Sequence, residues 1–165
     1  MAGRDGGACR YLFAGVPLAR RALMSDTSPW TIKWGNDMAD DRRAQGKAMR
    51  RRLMGDAYAD KLDGSVYKHP IMEKFAAYTQ EAVFGTLWTR PGLDLKTRAL
   101  ICVISDAAQG RAPELKLHLR FARNHGWSED ELSEALLHLA GYIGAPLVRE
   151  ALLTAIETFE EMAAE

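Results

Sequence analysis

Cysteine is scarce in this chain. Two cysteines, Cys9 and Cys102, stand far apart in 165 residues. That spacing supports neither a Cys-x-x-Cys redox pair, nor a thiolate zinc site, nor a disulfide framework. A reduced, cytoplasmic setting is the expectation that follows. No charge of one sign dominates: Lys+Arg is 22 and Asp+Glu is 22. A nucleic-acid surface would call for a basic excess, so no nucleic acid is expected as a partner. No apolar run approaches the roughly 18 residues of a membrane span, and no membrane partner is expected. Strand-like alternation of useful length is missing too. Four histidines are present, His69, His118, His125 and His138, but they form neither His-x-x-x-His nor His-Glu-x-x-His. A metal hydrolase is therefore disfavoured, and no metal ligand is assigned.

What remains is ordinary globular material, 47% hydrophobic and 27% charged, long enough for one domain with a core. Residues 1–35 stand apart, with glycine, proline and arginine scattered without helical period. The apolar piece 11–19 has the flanking arginines of a signal segment, but Pro17 breaks it and Arg20 and Arg21 follow at once. A disordered tail, or an extension ahead of a start at Met24, is the better expectation. Residues 36–165 are expected to form a single helical domain.

Helical signals then follow in order. A first helix is predicted over 37–54, with a thin apolar face and the basic run Arg50, Arg51 and Arg52, read as a solvated or interface face. Gly55-Asp56 reads as a turn. Pro70 opens a second helix, with Ile71, Phe75, Tyr78, Ala82 and Val83 on its apolar face, ending between Gly85 and Trp88. Pro91-Gly92 marks a turn, and Asp94 is a good N-cap for a third helix over 95–109. Its centre, 99–104, is apolar on nearly all sides, which predicts burial. Against that background Arg98, Cys102, Ser105 and Asp106 form one polar stripe, either a structural ion pair or the wall of a pocket.

A fourth helix carries Glu114 and His118, four residues apart, between Pro113 and Gly126. That spacing puts both side chains on one face, where a carboxylate beside an imidazole is a simple acid–base device. The same spacing also describes a common surface pair of small energy. Ser128-x-x-Glu131 is a capping box that starts a fifth helix, whose core face is Leu132, Ala135, Leu136, Leu139 and Ile143. On it His138 is expected to be buried and hydrogen-bonded. A sixth begins at Pro146, with Val148, Ala151, Leu152, Ala155, Ile156 and Phe159 as a seam. The fold class expected is all-α, with five to six helices, and its long apolar faces favour a homo-oligomer.

Two segments, WTRPGLDLKTRAL and PELKLHLRFARNHGWSEDELSEALLHLAGYIGAP, closely resemble the γ-carboxymuconolactone decarboxylase family, and RRRLMGDAYAD resembles its N-terminal signature more weakly. The likeness covers residues 50–159. It implies a helical bundle of the alkyl hydroperoxidase D-like type, assembled as a hexamer or trimer. Relatives in that wider superfamily use Cys-x-x-Cys-x-x-x-His. Aligned on His118, this chain has Arg111 and Glu114 at the cysteine positions, which argues against a disulfide-relay peroxidase.

The resemblance implies a cofactor-independent decarboxylase of aromatic catabolism, converting 4-carboxymuconolactone or a related small carboxylated lactone to an enol-lactone and carbon dioxide. The lactone itself accepts the electrons, so no cofactor is called for. The protein must hold the substrate, stabilise charge on the lactone oxygen and return a proton to carbon. His118 is then the proton donor and Glu114 its orienting counter-charge. Arg98, with Arg120 second, is the substrate-carboxylate ligand, because guanidinium matches carboxylate geometry. Trp88 is core, interface or substrate platform. Asp106 fits least, since it would repel an anionic substrate unless paired with Arg98. Two other readings stay open: a proton-transferring isomerase or lyase on another unsaturated acid, and a non-catalytic helical oligomer that binds a metabolite.

Overall fold

The computed structural model describes residues 36–165. Expectations for residues 1–35, whether tail, targeting segment or extension ahead of Met24, fall outside the described residues. The elements are α1 (Asn36–Met54), α2 (Asp56–Asp63), a 3-10 turn (Val66–Lys68), α3 (Pro70–Thr79), a π-helical turn (Gln80–Phe84), α4 (Leu95–Gln109), α5 (Ala112–Asn124), α6 (Glu129–His138), α7 (Ala140–Ile143) and α8 (Ala145–Ala163). No strand occurs among the described residues. The all-α expectation holds. No helix there is long and apolar enough to cross a membrane.

Caps place the helices where local chemistry demands them. Asp94 accepts from the Thr97 N–H at 2.6 Å, opening α4. Ser128 and Glu131 complete a reciprocal capping box at α6. Pro113 lies in the first turn of α5, where a missing N–H costs nothing. Gly110, left-handed at φ 65, ends α4. The Arg111 N–H then donates to the Asp106 carbonyl at 3.0 Å, so the chain reverses tightly and α5 packs back along α4.

Helix α5 is the centre of the bundle. Its Leu115, Leu119 and Ala122 are buried as their spacing predicts, and Phe121 joins them. Leu53, Val103, Leu132, Leu136, Ala151 and Ala155 close around it from α1, α4, α6 and α8. Each fully buried leucine contributes about 1.5–3 kcal/mol. Two long-range hydrogen bonds fix the C-terminal end of α5: Asn124 donates to the Leu53 carbonyl at 3.0 Å, and just beyond it the Trp127 indole donates to the Lys96 carbonyl at 2.9 Å.

Several expectations need correction. The Gly55-Asp56 turn does break α1, but a short helix, α2, follows instead of a loop. Arg51 bridges Asp56 and Asp60 of α2, each at 2.7 Å, and Arg50 is buried with Asp63 at 2.7 Å. The arginine run is thus mainly the clamp that holds α2, with Arg52 alone exposed. The second predicted helix does not run straight to its end but passes into the π turn, where the Gly85 N–H reaches back five residues to the Gln80 carbonyl at 2.8 Å. Its predicted core face is open: Ile71 is 70% and Tyr78 65% exposed, because α3 meets the rest of the bundle through the π turn instead. Helix α4 is likewise buried on one side only, with Ala99 and Val103 inside and Ile101 exposed. In the α8 seam Ile156 is exposed, and the fifth predicted helix divides at Leu139 into α6 and α7.

At the α5–α8 contact, Lys116 bridges Glu157 at 2.9 Å and Glu161 at 3.1 Å. Lys116, then Arg120, hold the Glu161 carboxyl below its ordinary value, against an opposing effect of burial. A depressed carboxylate favours folding while ionised, so this contribution is present above about pH 4.5 and lost as pH falls through the lowered value. Thermal melting is expected to drop across that acid window, with a shallower slope in Glu161→Gln. Identical slopes in the two proteins would rule out this linkage.

Candidate functional site

The central contact is between α4 and α5. Nδ1 of His118 lies 2.5 Å from Oδ2 of Asp106. Asp106 is buried, while the His118 side chain keeps 20% of its surface open. A carboxylate accepts from an N–H, so the proton of this bond belongs on Nδ1. That leaves Nε2 to face whatever binds. Nε2 has no protein hydrogen-bond partner among the described residues. The ring of Phe121, one turn along α5, meets the imidazole nearly at right angles, with centroids 5.2 Å apart. The other histidines do different work. His69 caps α3 by accepting from the Ile71 N–H, and His125 closes α5 on the Phe121 carbonyl. His138 was expected inside, but it is exposed, its ring beside that of Tyr142 on α7.

Sequence reasoning brought Glu114 to His118 and Asp106 to Arg98, and the geometry pairs them otherwise. Glu114 is exposed and makes no hydrogen bond to His118 among the described residues. Arg98 donates to two backbone carbonyls, Leu93 at 3.1 Å and Arg90 at 2.7 Å, and so clasps the loop before α4. Arg120 points away from His118, as its offset of two residues requires. It is buried over the Tyr58 ring and paired with Glu161 at 3.2 Å and Glu165 at 2.8 Å, its Nε unpartnered among the described residues. Trp88 is buried against Phe84 and Phe121, a core residue. The signal for the missed pair was available in one feature: Asp106 is the lone acid of α4 and is buried.

Behind Asp106, a cavity of about 30 Å³ is lined by Leu115, Leu147, Glu150 and Thr154 among others. It has room for a water, not for a substrate. A substrate must therefore meet His118 from its open edge. A groove of about 540 Å³ between α1 and α3 includes neither His118 nor Asp106. It is no part of this dyad.

Cys102 sits one turn before Asp106 on α4. Burial, and then the Asp106 charge, push its thiol up to about 11. The thiol is therefore a poor nucleophile. Its alkylation by iodoacetamide near neutral pH is expected to run about a hundredfold slower than that of an unperturbed cysteine, a shift of about two pH units in thiolate formation. Peptide mass spectrometry reads the label at Cys102, and rapid labelling would contradict this placement.

Residues 73–157 match the model of the carboxymuconolactone decarboxylase family. A 4-carboxymuconolactone decarboxylase of Acinetobacter baylyi is 32% identical over 126 residues, spanning 76% of this chain and 92% of that protein. A nitrosuccinic acid decarboxylase of Metarhizium robertsii is 34% identical over 120 residues, or 72% of this chain and 81% of its own length. An uncharacterized 15.0 kDa protein of Paracoccus denitrificans is 31% identical over 83 residues, 49% of this chain and 62% of that one.

Proposed function

This chain belongs to the carboxymuconolactone decarboxylase family, and on that premise we propose that it is a cofactor-independent carboxy-lyase acting on a small carboxylated acid. The named relatives support decarboxylation as the reaction type. Their names describe two acids with a shared property. In each, the electron pair left by carbon dioxide can pass into an acceptor already in the molecule, a lactone carbonyl or a nitro group. We take 4-carboxymuconolactone, or a closely related carboxylated lactone, as the first candidate substrate.

The observation that carries the reading is the His118–Asp106 dyad, with one imidazole nitrogen tied and the other free. The carbon–carboxylate bond breaks, and its electron pair moves into the acceptor. The Nε2 proton of His118 then closes the new carbon–hydrogen bond, and water reprotonates the ring. Carbon dioxide and the protonated carbon skeleton are the products. Asp106 orients the ring and balances its charge while it is protonated, so it need not repel an anionic substrate. Arg98 lies on the same face of α4, two turns away, with only two of its five N–H groups engaged. It is the arginine we assign to the carboxylate that stays. Clamping the departing carboxylate would stabilise the ground state and slow the step.

The test is turnover of freshly generated 4-carboxymuconolactone and of nitrosuccinate, followed by carbon dioxide release in deuterated water. Turnover of at least one acid is expected, with one deuterium on the carbon alpha to the lactone carbonyl of the enol-lactone, or on the nitro-bearing carbon left by nitrosuccinate. A folded sample that releases no carbon dioxide from either acid overturns the proposal.

A further inference from the structure

One hydrogen bond does not hold an imidazole still. The Asp106 contact fixes Nδ1 and leaves the ring free to tilt about that bond. Phe121 supplies the second constraint. It stands perpendicular to the imidazole, at 84°, and is itself fully buried. Two more rings hold Phe121 in turn. Trp88 meets it at 5.9 Å and 80°, Phe84 at 6.5 Å and 62°, and Phe84 and Trp88 stack on each other at 6.3 Å. Phe84 closes the π turn, and the Trp88 N–H bonds back to the Val83 carbonyl at 3.2 Å within the same turn. The imidazole is therefore gripped from two directions, by a carboxylate on α4 and by an aromatic stack rooted in the π turn.

We propose that Phe121 is a positioning residue, which through its ring contact sets the plane of His118 and so aims Nε2 at the reacting carbon. This rests on the reading of His118 as the proton donor. A misplacement of about 1 Å at a reacting group costs up to about a hundredfold in rate, so the ring plane matters even when the tautomer is right.

The test compares Phe121→Leu, which keeps most of the volume, with Leu132→Met, an equally buried change on α6. Both are followed by turnover and by nitrogen-15 spectra of the His118 ring. In Phe121→Leu, kcat is expected to fall about tenfold with KM within twofold, and the His118 ring signals to shift. Leu132→Met is expected to alter neither. Wild-type kcat and ring signals in Phe121→Leu, or an equal kcat loss in Leu132→Met, overturns the proposal. If the wild type decarboxylates neither acid, the functional reading fails, and the ring spectra alone still decide whether Phe121 positions His118.

Discussion

His118→Ala is expected to lower turnover by about two to four orders of magnitude with the bundle intact, the range for a lost general acid. Removing His118 leaves the buried Asp106 carboxylate without its partner, so melting is measured beside turnover to separate lost chemistry from lost fold. Asp106→Asn is the more informative change. An amide in place of the carboxylate can turn its NH2 toward Nδ1, which then accepts, so the ring lacks the Nδ1 proton and could give up its Nε2 proton only by becoming an imidazolate. A loss of about a hundredfold or more is expected, with KM less affected, because the amide preserves the shape while it removes the counter-charge. Glu114→Gln distinguishes the two carboxylates. From its exposed position it is expected to cost less than about tenfold. A loss as large as that of Asp106→Asn would return the orienting role to Glu114, and full activity in His118→Ala would remove the site altogether.

The largest expected effect on folding lies where α1 crosses the π turn, at Gly46. A Cβ added there would stand 1.7 Å from the Gln80 carbonyl oxygen, and one added at Gly85 would stand 2.3 Å from the Arg42 carbonyl oxygen. Helix α1 crosses the π turn backbone to backbone, and neither glycine can take a side chain without parting them. Two effects oppose each other in Gly46→Ala. Helix propensity favours alanine by about 1 kcal/mol. Overpacking against a rigid carbonyl costs about 3 kcal/mol or more, and it wins. Urea unfolding is expected to show a net loss of about 2 kcal/mol for alanine, and no stable fold for valine. A stability equal to or above wild type in Gly46→Ala would mean that α1 does not approach the π turn this closely.

Local rules were legible to the residue. Asp94 and Ser128 cap the helices they were expected to cap, Pro113 opens α5, and Leu115, Leu119 and Ala122 face inward. Each depends on neighbours within a turn. Periodicity also identified the shared face of Ile71, Phe75 and Tyr78, but it cannot say what lies opposite, and within the described residues that face meets little. His118 was read from the sequence and its contact with Asp106 was not, for a related reason. Glu114 was paired with His118 because spacing along one helix is visible in a sequence. Asp106 reaches His118 across twelve residues through a tight reversal at Gly110, and only the packing of α5 on α4 reveals it. Arg98 and Arg120 were read as ligands for a substrate carboxylate; Arg98 also bonds the backbone ahead of α4, and Arg120 is paired with Glu161 and Glu165.

The pairing of Arg120 with Glu165 has a practical side. The two carboxylates that balance this buried guanidinium, Glu161 and Glu165, both stand half open to solvent. Neutralising either one strips a counter-charge from a cation that water barely touches. Glu165→Gln, a change made at the surface, is therefore expected to register in melting as a change made in the interior.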